Sequence, residues 1–222
     1  MRRAPILIVG MAIAAMASAG AVLASHAHLG SADKVTARST SGPAGLEGFS
    51  VFTNTATAVE PDATVKTIAA DLGATAADLQ YFHVLGDGLG TFRSRLVAFP
   101  ATSGRNVCYS ILGPASTDPG MSYCYRPGDT HAPRGIAGER FSVVALESRT
   151  GADLDVGTQV FGVAEDSVAS LRVLVSGAWR KVPITNNGFY LDVPGVPRSD
   201  VGTVQATLVD GSEQVHDLRT GE

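Results

Sequence analysis

Between Ala4 and Ser25 the chain carries no ionisable side chain and no polar face, the pattern of an apolar helix able to cross a hydrocarbon core of about 30 Å. Arg2 and Arg3 precede this run and the next Lys or Arg is Lys34, so cations flank it on the N-terminal side only. That asymmetry predicts that residue 1 stays in the cytoplasm while everything after Ser25 crosses the membrane. Ala17-Ser18-Ala19 offers an A-x-A cleavage site and Ser25-His26-Ala27 a second, whereas Val22 and Leu23 prolong the apolar run as an uncut anchor would. Residues 1–28 therefore read as a signal peptide or a signal anchor, with residues 4–25 as the membrane-associating part, and both alternatives stay open.

Residues 29–48 are small, polar and punctuated by Gly and Pro, with an apolar period of neither 3.6 nor 2, and read as a flexible linker. The folded domain is expected over 49–222, opening at Phe49-Ser50-Val51-Phe52. A helical insertion is predicted at 61–85. Pro61 suits a first turn, Val65, Ile68, Ala69 and Leu72 repeat at helical spacing, and Gly73 stops the helix. Thr75 and Asp78 then form a capping-box pattern for a second short helix through Leu79 and Phe82.

From Thr91 onward the apolar period shortens to 2. Strands are predicted at 92–99, 106–112, 121–125, 140–146, 158–163, 169–176, 179–184, 189–193, 202–209 and 213–218. Leu171, Val173 and Val175 give one of them an apolar row, with Arg172 and Leu174 on its other side. Asn186-Asn187-Gly188 and Asp210-Gly211 supply the positive-φ residues of tight hairpin turns. The fold class is thus mainly β, a sandwich-like antiparallel domain with a short helical segment near its start.

Charge narrows the range of partners. The formal net charge is -4, and removal of residues 1–28 with Arg2 and Arg3 takes it to -6, while the remaining cations are mostly scattered singly. A nucleic-acid partner, which needs a basic footprint, is excluded. The two cysteines, Cys108 and Cys124, fall in neighbouring predicted strands of an exported chain. Compartment, parity and strand adjacency make them a structural disulfide, whereas a redox pair more often has C-x-x-C spacing.

Other motifs are incomplete. Gly86-Asp87-Gly88-Leu89-Gly90 lacks the further glycine of a dinucleotide fingerprint and reads as a turn. Asp153, Asp155 and Gly157 share the start of a calcium loop but not its terminal glutamate. His83, His131 and His216 are the histidines of the domain. His131, in a loop with Asp129 and Pro133, is the best-placed base, though no G-x-S-x-G or H-E-x-x-H motif accompanies it. Trp179 and Tyr190 are candidates for a stacking platform.

In Phe49-Ser50-Val51-Phe52, the RLVAFP strand, the cysteine pair, FGVAEDSVASLRVLV and VPITNNGFYLDVPG, the chain resembles a group of uncharacterised exported proteins of high-GC bacteria. Gly162, Val163, Asp166, Val168, Asn187 and Phe189 stand at that group's recurrent G-V-x-x-D-x-V and N-x-F positions. The resemblance spans most of 49–210 and implies a fold rather than an activity, and the insertion at 61–85 is longer than the usual link in the group. The expectation is an exported or membrane-tethered, non-enzymatic binding or structural module of the cell envelope, with an envelope protein or glycan as partner. The alternative is a secreted hydrolase with a site assembled from loops near His131. No catalytic residue, cofactor or metal ligand is assigned.

Overall fold

The computed structural model describes residues 42–53, 60–102, 104–113, 120–127, 139–150 and 155–219. The export segment, most of the linker, His131 and Asp153 lie outside the described residues. Among the described residues no helix is long and apolar enough to cross a membrane.

The described part is mainly β, with three four-stranded antiparallel sheets and one short helix near the start. The first sheet is a meander of β1 (His83–Leu89), β2 (Ser94–Ala101), β3 (Asn106–Leu112) and β4 (Met121–Tyr125). The second takes β5 (Phe141–Thr150), β6 (Asp155–Ala164), β9 (Ile184–Thr185) and β10 (Gly188–Pro194) in the order β5-β6-β10-β9. The third takes β7 (Val168–Val175), β8 (Ala178–Val182), β11 (Val201–Leu208) and β12 (Glu213–Asp217) in the order β12-β11-β7-β8.

Alternation along β6 shows how the layers share their cores. Phe161 and Val163 pack with Leu96, Ala98 and Tyr109 of the first sheet and with Phe49 and Phe52. Val160 and Ala164 pack with Leu171, Val173 and Val204 of the third. β2 is divided likewise, with Leu96 and Ala98 toward β6, and Val97 and Phe99 toward the helix. Strands covered on both faces read as continuous apolar runs, which is why RLVAFP and VFGVA show no polar alternation. β7 has one covered face, and Leu171, Val173 and Val175 are buried while Arg172 is exposed.

The helix α1 (Ala63–Asp71) is closed at both ends by local chemistry. Asp62 is its N-cap, accepting from Val65 N at 2.9 Å and pairing with Arg95, so Pro61 precedes the cap rather than sitting in the first turn. Gly73, with φ of 77°, ends it in a Schellman motif, Gly73 N bonding Ala70 O and Ala74 N bonding Ala69 O.

The expected second helix is a single 3-10 turn, Asp78–Tyr81. Its capping box is present, with Thr75 N and Oγ1 donating to Asp78 Oδ2 and Asp78 N to Thr75 Oγ1. The turn cannot propagate because burial of His83 and Leu85 on alternate residues draws the chain into β1. The glycine-rich 86–90 segment is thereby split, most of it continuing β1 with register shifts at Gly86, and Gly90 opening the turn to β2. The packed chain also begins earlier than Phe49: Leu46 is buried at the end of a turn from Pro43.

Candidate functional site

Two polar constellations and one surface hold the chemistry among the described residues. The first constellation joins the start of the domain to two turns. Asp166 follows β6, and its carboxylate accepts from Ser50 N (2.9 Å), Ser50 Oγ (2.8 Å) and Asn187 Nδ2 (2.8 Å). Asn187 Oδ1 accepts from Val51 N, and Asn187 Nδ2 also donates to Ala164 O, both at 2.9 Å. Asp166 thus caps the 3-10 turn Ser50–Thr53, while Asn187 and Asn186, at φ of 62° and 50°, form the two-residue turn between β9 and β10. The carboxylate of Asp166 and the amide of Asn187 are consumed by this lock.

The second constellation joins the first and third sheets through residues that flank β5 and β6 of the second. Glu139 and Glu165 are buried, and Tyr125 at the end of β4 directs its hydroxyl to the Glu139 carbonyl oxygen and to Glu165 Oε1 (3.1 Å). Arg140 Nη1 donates to Glu165 Oε2 at 2.9 Å, and His216 of β12 lies with Nδ1 3.1 Å from Glu139 Oε1. Burial, and next the Glu165 carboxylate, push the Tyr125 hydroxyl far above the usual tyrosine range, so it stays a proton donor. Each carboxylate is engaged by a neighbour, and the set works as a polar staple between sheets. Sequence reasoning missed it because its members are separated by up to 91 positions in the chain, from Tyr125 to His216, and carry no motif.

The surface is the outward face of the third sheet. Register places Val215, Gln205, Arg172 and Lys181 directly opposite one another across its four strands. Arg172 donates from Nε to Gln205 Oε1 at 2.8 Å and lies over the Trp179 ring, 4.7 Å from its centroid. Trp179 is 44% exposed although it is the only tryptophan of the chain. The structure therefore pairs Trp179 with Arg172 and not with Tyr190, whose hydroxyl instead reaches Gln159 Oε1 at 3.2 Å from half-buried β10.

Of the remaining candidates, Cys108 and Cys124 are bridged. They sit directly opposite on β3 and β4 with Cα atoms 4.0 Å apart. Asp155 opens β6 and Gly157 lies within it, opposite Ser148 and Pro194, so these two are strand residues. Among the described residues no cluster of His, Cys, Asp or Glu could hold a metal ion.

His83 lies in the core against Phe52, with ring centroids 6.0 Å apart, and burial holds its imidazole below the ordinary value of 6.5. The unfolded chain then takes up a proton near pH 6.5 that the native chain resists, so stability falls as pH drops through that value and is unaffected by this group well above it. The urea midpoint is expected to decline between about pH 7.5 and about pH 5.5, with a shallower decline in His83→Gln. Equal slopes in the two proteins would remove His83 as the cause.

No family model matches the chain, and no curated protein or solved structure does.

Proposed function

We propose that this chain is an exported or membrane-tethered binding or structural module of the cell envelope, a sandwich-like β domain without catalytic chemistry of its own. The observation that carries the reading is the outward face of the third sheet. A soluble domain gains nothing by leaving Trp179 exposed beside Arg172, whereas exposed aromatic and arginine side chains are the types that dominate recognition surfaces. The Cys108–Cys124 disulfide is consistent with an extracytoplasmic location. The hydrogen-bonded acids and amide support the same reading, since the exposed Asp166 and the buried Asn187, Glu139 and Glu165 are engaged in holding turns and sheets.

Export is tested by topology. A reporter active only in the cytoplasm, fused after Glu222 of the full chain, is expected to be silent, and one active only outside it is expected to report. Strong cytoplasmic activity overturns the export reading, because Arg2, Arg3 and the uncharged run after them would then have failed to direct translocation.

A further inference from the structure

The row Val215, Gln205, Arg172, Lys181 breaks a rule of sheet design. Arg172 and Lys181 stand directly opposite each other on β7 and β8, where like charges repel, and the row contains no carboxylate. Arg180, next to Lys181 on the same edge strand, stands opposite the buried Val173 and so alternates to the other face of the sheet, outside this row. Among the described residues neither Arg172 nor Lys181 has an ion-pair partner, in a chain whose formal charge is -4. Local choices that cost stability concentrate where function demands them.

We infer that this face binds an acidic polysaccharide, with Trp179 stacking on a sugar ring and Arg172 and Lys181 taking the carboxylates; the inference rests on the binding-module reading above. Three features favour a glycan chain as occupant. The surface is a sheet face, and its row of four directly opposed residues crosses three strand spacings of about 4.8 Å, which suits an extended polymer. Trp179 offers a flat aromatic ring, the group that stacks on the C–H faces of sugars, and Arg172 keeps that ring oriented. Gln205, already accepting from Arg172 Nε, holds the guanidinium in place and leaves its other N–H groups to donate elsewhere. Insertion into a lipid bilayer would instead call for apolar side chains at a protruding tip. Beside Trp179 this face has the half-buried Leu174 directly opposite, and the exposed Val215 lies on the far strand of the sheet.

The test uses the full chain in a neutral detergent, titrated with polygalacturonate, with uncharged dextran and with phosphatidylglycerol vesicles. Binding to polygalacturonate is expected, weakening as salt is raised, with none to dextran. Trp179→Ala and the double variant Arg172→Ala/Lys181→Ala are each expected to weaken it by about tenfold or more. Trp179→Phe is expected to retain most of it, and Lys66→Ala, which removes an exposed cation elsewhere, to leave it unchanged. Thermal melts of each variant verify folding, and since the substituted side chains are exposed, wild-type melting is expected. Absence of polygalacturonate binding, equal binding by wild type and the alanine variants, or binding confined to the vesicles overturns the inference. So does self-association of the Arg172→Ala/Lys181→Ala variant with undiminished binding, which would make the cations guards of the β8 edge. Failure here with a silent cytoplasmic reporter removes the glycan and leaves the exported module; an active cytoplasmic reporter removes the module itself.

Discussion

Replacing Gly162 with alanine is expected to destabilise the domain by about 4 kcal/mol or more, among the largest effects of any single substitution here. A Cβ built on Gly162 stands 1.9 Å from the carbonyl oxygen of Ser142 and 2.7 Å from Phe189 Cζ. A flexible side chain could move aside, but the nearest obstacle is backbone. It belongs to β5, which pairs with β6 from Phe141↔Ala164 to Thr150↔Asp155, so relief requires parting two strands along their length. On the other side Phe189 is the cross-strand partner of Gly162 in β10 and packs in the core shared with the third sheet. For a domain of this size the loss corresponds to a fall in Tm of about 8–16 °C, read by thermal or urea unfolding. A variant within about 1 kcal/mol of wild type would mean that β6 does not meet β5 and β10 in this register.

Changing both Cys108 and Cys124 to serine is expected to cost about 3 kcal/mol, or about 6–12 °C in Tm, with the fold retained. The bridge closes a loop of sequence separation 16 between directly opposed residues, and its main effect in the chain-entropy view is to restrict the unfolded ensemble. Its position adds a local consequence. Among the described residues β4 is the edge of the first sheet and is paired only with β3, and the bridge pins the middle of that edge to a buried partner, Cys108 being fully buried and Cys124 exposed. The double variant should therefore show faster amide exchange first in Met121–Tyr125. Thiol labelling of unreduced wild type is expected to find no free cysteine. Two reactive thiols would remove the bridge, and unchanged stability of the double variant would remove its structural role.

Much of the strand plan was legible in the chain because turn chemistry is local. The bounds of β3 and β4 coincide with the predicted 106–112 and 121–125, and those of the later strands differ by a few residues at most, except that β5 and β6 extend further toward the turn between them and that the predicted 179–184 divides at Pro183 into β8 of the third sheet and β9 of the second. Asn186-Asn187 makes the positive-φ hairpin that its residue types announce, and Asp210-Gly211 turns β11 into β12. The helix at Ala63–Asp71 was legible for the same reason, its stop signal Gly73 and its apolar stripe lying within a few residues of one another. β1 was not, because its Gly86, Asp87 and Gly88 have turn propensity and only pairing with β2 makes them a strand.

What residue order settled by itself is the apolar uncharged run after Arg2 and Arg3, the succession of short strands, the turns between them and the presence of two cysteines for one bridge. Tertiary structure decided the rest: the partition of the strands into three sheets, the burial of β2 and β6 on both faces, the meeting of Tyr125, Glu139, Glu165 and His216, and the alignment of Arg172 with Lys181 and Trp179. The division follows from range. Dihedral preference and side-chain period act over a few residues and can be read along the chain, whereas sheet register and the packing of layers join residues far apart in sequence and are set by which apolar faces cover one another.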